Sequence, residues 1–174
     1  MLLKHVRKTG CRWLHVQSVR VRDAEAMEAF GAELATHVPH PSTIFLVGNL
    51  GCGKTCLARG FVRTWTKDES MLVTSPTYLL MNTYEENQKS LYHMDLYRLD
   101  KVSSIDATAM GLDEVFATST NLIEWPDRLT PQLVPSTRLE VHIAYTDNED
   151  ERVIEFKYFG SIWNNVKQWF ASKN

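Results

Sequence analysis

The sequence predicts an α/β fold: a mixed β-sheet flanked by helices, with antiparallel hairpins added at its edges. Three observations carry that reading. The short β-branched run Thr43–Val47 passes through a glycine-rich loop directly into the helical stretch Lys54–Trp65, the order expected of a parallel core. Two pairs of strand-like segments, Tyr78–Tyr84 with Ser90–Tyr97 and Arg138–Tyr145 with Arg152–Phe159, each bracket a polar turn. The chain has 174 residues, 44% apolar and 23% charged, which suits one domain with a buried core and argues against wholesale disorder.

From the N-terminus, Trp13–Val21 is predicted as a strand, with Leu14, Val16, Val19 and Val21 in imperfect alternation. Asp23 is placed to cap a helix whose apolar face is Met27, Phe30, Gly31, Leu34 and Val38, ended by Pro39 and Pro41. Thr43–Val47 follows as a buried strand, and Leu57, Phe61, Val62 and Trp65 recur at helical steps after the loop. Met71–Val73 is a further short apolar run before Ser75-Pro76-Thr77, and the first hairpin turns over Glu85–Lys89. Ser103 or Ser104 caps a short helix before Gly111. Asn121–Trp125 is a strand stopped by Pro126, and a connection containing Pro131 and Pro135 leads to the second hairpin, which turns over Asp147–Glu151. Ser161 is expected to cap a last helix carrying Ile162, Val166, Trp169 and Phe170. No internal repeat or low-complexity tract interrupts this order, so residues 1–174 are expected to form a single domain.

Composition narrows the function classes. A net charge of −2 gives no global basic field, so any nucleic-acid role needs a partner or a local patch. Cys11, Cys52 and Cys56 are odd in number and lack Cys-x-x-Cys spacing, which disfavours a disulfide framework and points to a reducing compartment. No apolar run approaches the roughly 18 residues that span a bilayer, and no signal-peptide core is visible. Residues 1–22 carry Lys4, Arg7, Lys8, Arg12, Arg20 and Arg22 and no acid. That pattern fits a short basic extension, over about residues 1–12, and also an organellar transit peptide; sparse Ser and Thr favour the extension. The expected location is the cytoplasm, with a mitochondrion or plastid as the alternative.

Gly48-x-x-x-x-Gly53-Lys54-Thr55 matches the Walker A pattern at every fixed position, with a strand before it and a helix after it. The expected fold is therefore P-loop NTPase-like. Glycines let the backbone curl until several N–H groups converge on one oxyanion, and the positive end of the following helix adds to the attraction. The candidate phosphate cradle is Asn49, Leu50, Gly51, Cys52, Gly53, Lys54, Thr55 and Cys56. Lys54 would reach the β- and γ-phosphates, and the Thr55 hydroxyl would ligate Mg2+. The chain lacks a late Asn-Lys-x-Asp motif, so ATP is favoured over GTP.

A P-loop ATPase also needs an acid at a strand's C-terminal end to hold the metal and its waters. Asp95 after Leu91-Tyr-His-Met and Glu124 after Asn121-Leu-Ile both qualify. A strand-end acid that faces water, or pairs with Arg98 or Arg128, fits the same pattern. Thr77 could close on the γ-phosphate as switch threonines do, although Ser-Pro more often opens a simple turn. Trp125 could line the site or sit in the core, and Arg98 and Arg128 could serve phosphate charge or ordinary surface pairing.

The combination resembles the TsaE (YjeE) family of P-loop ATPases of tRNA modification, over about residues 14–158. The resemblance rests on Gly48–Thr55, Ser75-Pro-Thr-Tyr78, His93-Met-Asp-Leu-Tyr-Arg-Leu99, Gly111-Leu-Asp-Glu114 and Ile123-Glu-Trp-Pro126. It implies a part in forming threonylcarbamoyladenosine at position 37 of tRNA, together with a TsaD transferase subunit and its paralogue TsaB, with tRNA met through that complex. It implies magnesium-site roles for Thr55 and Glu124, an activity-bearing acid at Asp95, a switch role for Thr77 and a site role for Trp125. It also implies an adenine-side contact near Glu25, within Asp23–Met27, and a late nucleotide contact at Arg152. The family loop usually has Asp and Ala where this chain has Asn49 and Cys52. Asn49 puts a carboxylate role at that position in doubt and could slow hydrolysis. Cys52, among inward N–H groups near Lys54, is expected to favour its thiolate, so that oxidation or alkylation would block nucleotide binding; a small residue that simply fits is the competing reading. The alternatives in function are a small-molecule P-loop kinase and a nucleotide-gated scaffold that does not hydrolyse.

Overall fold

The computed structural model describes residues 18–173. The basic stretch 1–12 and the first part of the expected N-terminal strand, 13–17, lie outside the described residues. The described chain runs β1 (Ser18–Val21), α1 (Ala24–Ala35), β2 (Ser42–Val47), α2 (Lys54–Thr66), β3 (Met81–Glu86), β4 (Lys89–Asp95), α3 (Ser104–Ala109), α4 (Leu112–Thr118), β5 (Thr120–Glu124), β6 (Arg138–Tyr145), β7 (Arg152–Phe159) and α5 (Asn164–Ala171). Two short 3₁₀ turns, Pro126–Arg128 and Pro131–Leu133, join β5 to β6.

The strands form one seven-stranded sheet in the order β1-β7-β6-β2-β5-β4-β3. Its centre, β6-β2-β5-β4, is parallel. The edges are antiparallel: β3 on β4 at one side, β7 on β6 and β1 on β7 at the other. The fold is thus the expected α/β mixed sheet. Alternation along β2 decides the layers. Ile44 and Leu46 face a core shared with α1, α2 and α5, while Phe45 faces a second core built with α3 and α4.

Helix α1 begins where Asp23 accepts a hydrogen bond from the Ala26 amide at 2.7 Å. It crosses α2 backbone against backbone. A Cβ on Gly31 would overlap the Leu57 carbonyl, and one on Gly60 would overlap the Glu28 carbonyl. Glycine at both positions lets the helix after the loop seat tightly on its neighbour. Arg59 and Arg63, one turn apart on α2, both pair with Glu28, and their Nε atoms donate to the Val73 and Met71 carbonyls at 3.3 and 3.0 Å. The segment after α2 is strapped along that helix.

Several boundaries differ from expectation, each for a visible reason. Helix α1 ends at Ala35 with Thr36 as its cap, before the prolines, because the Thr36 hydroxyl and amide both bond the Glu33 carbonyl. Tyr78–Leu80 is not strand: the Leu80 amide donates back to Pro76, and Leu80 adopts φ 65°. The first hairpin turns tightly on Asn87 and Gln88, both at positive φ, a hairpin geometry that matches strand twist. Ser103 caps α3 in a reciprocal box with Asp106. Helix α4 was not anticipated, because Gly111 opens it instead of closing α3. Ser161 does not cap α5. That helix starts beyond Trp163, which is fully buried and donates its indole N–H to the Phe159 carbonyl at 2.8 Å. Among the described residues no helix is long and apolar enough to cross a membrane.

Candidate functional site

Parallel pairing brings the carboxyl ends of β2, β5 and β4 side by side, with Leu46 opposite Glu124 and Glu124 opposite Asp95. Ligands of open α/β sheets bind outside such ends. The loop 48–53 leaves β2 there and delivers Lys54 as the first residue of α2. Gly51 and Gly53 adopt φ 76° and 105°, conformations that side chains other than glycine rarely take. Gly48 has no room for a Cβ, which would strike the Ile143 carbonyl and lie 2.6 Å from the Cys52 sulfur. The loop is therefore fixed by the backbone of β6 beneath it.

A cleft of about 360 Å³ opens over these strand ends. It is lined by Leu50, Gly51, Gly53, Lys54, Thr55 and Cys56 on one wall and by Ser75, Thr77, Asp95, Tyr97, Glu124 and Trp125 on the other. Lys54 is almost wholly buried; its Nζ donates to the Gly48 and Asn49 carbonyls, each at 2.9 Å, and lies 4.1 Å from the centre of the Trp125 ring. Thr55 Oγ1 donates to Glu124 Oε1 at 2.8 Å. His93 Nε2 lies 2.9 Å from the same oxygen. Asp95 Oδ2 accepts from Ser75 Oγ and Thr77 Oγ1, both at 2.5 Å, and its Oδ1 accepts from the Tyr97 amide at 3.0 Å.

Asp95 and Glu124 are each only 3% exposed. Lys54 is the one cationic side chain lining the cleft among the described residues. Two buried carboxylates against one ammonium leave room for further positive charge. Neither acid uses an arginine: Arg98 packs over the Tyr78 ring at 4.0 Å, and Arg128 lies 3.8 Å from Asp127. Hydroxyl and carboxylate oxygens are the donor set of a hard cation such as Mg2+, which keeps phosphate and water oxygens in its shell. No cluster of three or more His, Cys, Asp or Glu side chains among the described residues could hold a metal ion alone.

The family model for threonylcarbamoyl adenosine biosynthesis protein TsaE matches residues 21–154. The chain belongs to the TsaE family. Curated members similar to it are named tRNA threonylcarbamoyladenosine biosynthesis protein TsaE. That of Haemophilus influenzae is 32% identical over 158 residues, 87% of this chain and 96% of that protein. That of Bacillus subtilis is 32% identical over 143 residues, 82% of this chain and 85% of that one. That of Synechocystis is 37% identical over 113 residues, 64% of this chain and 70% of that one. The crystal structure of Bacillus subtilis YdiB superposes with a TM-score of 0.72 at 26% identity, covering 89% of this chain and 93% of that one.

Of the residues that sequence and TsaE resemblance single out, Leu50, Gly51, Gly53, Lys54, Thr55, Cys56, Thr77, Asp95, Glu124 and Trp125 meet in the cleft. Asn49 is exposed and does not line it, although its carbonyl holds Lys54. Glu25 borders an adjacent hollow of about 380 Å³ with Glu28, Cys56 and Arg59. Arg152 sits behind the loop, stacked on Tyr145 at 4.2 Å, whose hydroxyl donates to the Leu50 carbonyl at 2.8 Å. The thiolate expected at Cys52 is corrected. That sulfur is buried beneath the loop, and burial pushes the thiol up, outweighing the pull of Lys54. Trp125 is half-buried, lining the cleft while packing against the second core, at φ 59° where the chain turns off the end of β5. The structure adds Ser75, His93 and Tyr97 to the acids of the site. Strand alternation alone puts His93 on the face of Asp95, but only the pairing of β4 with β5 shows what it meets.

Proposed function

We propose that this chain is a magnesium-dependent ATPase that supports formation of tRNA N6-threonylcarbamoyladenosine at position 37 by acting on a TsaD–TsaB-like transferase complex. The observation that carries the proposal is the meeting, in one cleft, of a P-loop at a helix N-terminus with Thr55 and two buried strand-end acids. Family membership supplies the pathway, and the names of the curated relatives support it. In this reading tRNA is met through the complex, and the transfer chemistry belongs to the partner.

The chain's own groups divide the work. Main-chain amides of residues 49–55 cradle the phosphates, and Lys54 leaves the Gly48 and Asn49 carbonyls to reach them. Thr55 and Glu124 would hold Mg2+, and Asp95, beside Glu124 on the neighbouring strand, would bind the metal or its waters. When bound, the metal offsets charge on the transferring phosphoryl group. Trp125 closes over the Lys54 side. Thr77 is held away by Asp95 and must exchange that bond to meet a γ-phosphate. Tyr78 and Leu79, 82% and 75% exposed on the same segment, offer a partner a handle on that exchange, so turnover of the isolated chain is expected to be slow.

The test is phosphate release with and without the transferase subunits, on parent and Lys54→Ala protein. The parent is expected to hydrolyse ATP, faster in the complex, and Lys54→Ala to lose at least about 100-fold. ATP binding without phosphate release, even in the complex, would indicate the scaffold alternative. Phosphate arriving on a small molecule would indicate the kinase.

A further inference from the structure

We propose that His93 is a positioning residue for Glu124, selecting which carboxylate oxygen the acid presents to the cleft. The inference deepens the proposed function and rests on reading the cleft as a magnesium–nucleotide site.

His93 is fully buried on β4, two residues before Asp95 and on the same face of the sheet. Its Nε2 meets Glu124 Oε1 at 2.9 Å, and Thr55 Oγ1 donates to that same oxygen at 2.8 Å. A carboxylate oxygen accepts, so Nε2 carries the ring proton. His93 Nδ1 is buried with no hydrogen-bond partner, and a proton there would be an orphaned buried donor. The ring therefore supplies one N–H, aimed at one oxygen. No described residue bonds Glu124 Oε2, and Glu124 borders the cleft. Two donors fix Oε1, His93 from the buried side and Thr55 from the cleft wall, and leave Oε2 free for an occupant of the cleft.

The choice of imidazole has a chemical sense. A lysine or arginine in its place would pair with the carboxylate and compete with a metal for its charge. A single N–H fixes orientation and leaves the charge available. The Thr55 hydroxyl has one proton and two lone pairs, so it can keep its bond to Oε1 while its oxygen faces the cleft. His93 thereby locks a three-residue arrangement without touching the ligand. Hydrogen-bonded partners behind a metal-binding carboxylate typically matter by about 10- to 100-fold in metal affinity.

The experiment measures binding, not turnover. ADP affinity is determined by calorimetry in EDTA and across a MgCl2 titration, for parent, His93→Leu and His93→Gln. Glutamine can offer an N–H from the same side; leucine cannot. For His93→Leu, the magnesium needed for half its effect is expected to rise about tenfold, with EDTA affinity within about twofold of the parent. His93→Gln is expected to recover most of the magnesium response. Equal magnesium responses in all three proteins would overturn the inference, as would a loss of equal size with and without metal. Nitrogen-15 spectra of the parent imidazole give an independent check that survives a misfolded variant: a proton on Nε2 and a bare Nδ1 are expected, and the reverse overturns the inference. A parent that binds no ADP under any condition instead removes the nucleotide reading itself, and this inference with it.

Discussion

The two walls of the cleft are held by different forces. The loop wall is shaped mainly by its backbone: glycines at positive φ, a Gly48 with no room for a Cβ, and α2 locked to α1 through Gly31 and Gly60, with Lys54 and Tyr145 bonding the loop carbonyls. The facing wall keeps main-chain bonds at Leu80, to Pro76 and from the Asp95 amide, but its cleft edge is held by side chains. Ser75 and Thr77 hang by their hydroxyls from Asp95, and Leu72, Tyr78 and Leu79 on the same stretch lie open to solvent. Backbone packing has few alternatives, whereas hydroxyl bonds exchange at a modest net cost of about 1 kcal/mol each. The difference assigns grip to the first wall and response to the second. Substitutions on the loop wall should damage stability and binding together, and substitutions on the other should separate them.

The largest effect is expected from Gly48→Ala. The new methyl meets the Ile143 carbonyl and the Cys52 sulfur, neither of which is the free end of a flexible chain. Overpacking against backbone should cost about 3 kcal/mol or more of folding free energy. Nucleotide affinity should fall below detection at millimolar ADP. Denaturant unfolding and calorimetry check the two together, and a stable Gly48→Ala protein that binds normally would show that the loop wall is softer than its geometry.

Asp95→Ala should come next and should act differently. It removes the acceptor of three hydrogen bonds, from Ser75, Thr77 and the Tyr97 amide. The stability cost should be about 1–3 kcal/mol, since the freed donors are only partly buried and can turn to water. Phosphate release should fall about 100-fold while ADP affinity stays within a few-fold, because the loop wall is untouched. Amide exchange across residues 75–80 should accelerate, with the amides of α2 unchanged. Faster exchange in α2 would mean that the two walls are not independent.

The same contrast explains what the sequence made legible. The loop, α2 and the β6–β7 hairpin are encoded by local signals: glycine spacing, a helical period, strict alternation. The segment 78–80 is as apolar as a strand, and composition does not distinguish an exposed apolar turn from a buried edge. What decides it is the Leu80 bond back to Pro76 and a positive φ at Leu80. Asp95 and Glu124 were recognisable as strand-end acids, but their environments required knowing that β4 and β5 are neighbours. His93 was hidden for the same reason. The sequence left Trp125 open between site and core, and the residue does both: it borders the cleft and packs against the second core from a left-handed turn at the end of β5. Local order was readable; the partners across strands were not.

The smallest effect concerns Cys52, and it sharpens the comparison from the chemical side. The loop wall contains a cysteine next to Lys54, which sequence reasoning takes as a reactive thiolate. The sulfur is 1% exposed and 4.0 Å from the Lys54 ammonium. Burial raises the thiol and Lys54 lowers it, and burial is the larger influence. Thiolate is the reacting form, so raising the thiol lowers the reactive fraction at any neutral pH, and the rate should climb as pH rises past the ordinary thiol range. Iodoacetamide labelling of Cys52 in the folded protein at pH 7.5 is expected to be at least about tenfold slower than labelling of an exposed thiol, as followed by mass spectrometry. Cys56, half-buried at the cleft and donating to the Ala24 carbonyl at 3.0 Å, is also raised by burial and serves as the internal reference for access. If Cys52 instead labels as fast as a free thiol, the lysine prevails over burial and the loop opens to solvent, and the stiff wall must be reassigned as a mobile one.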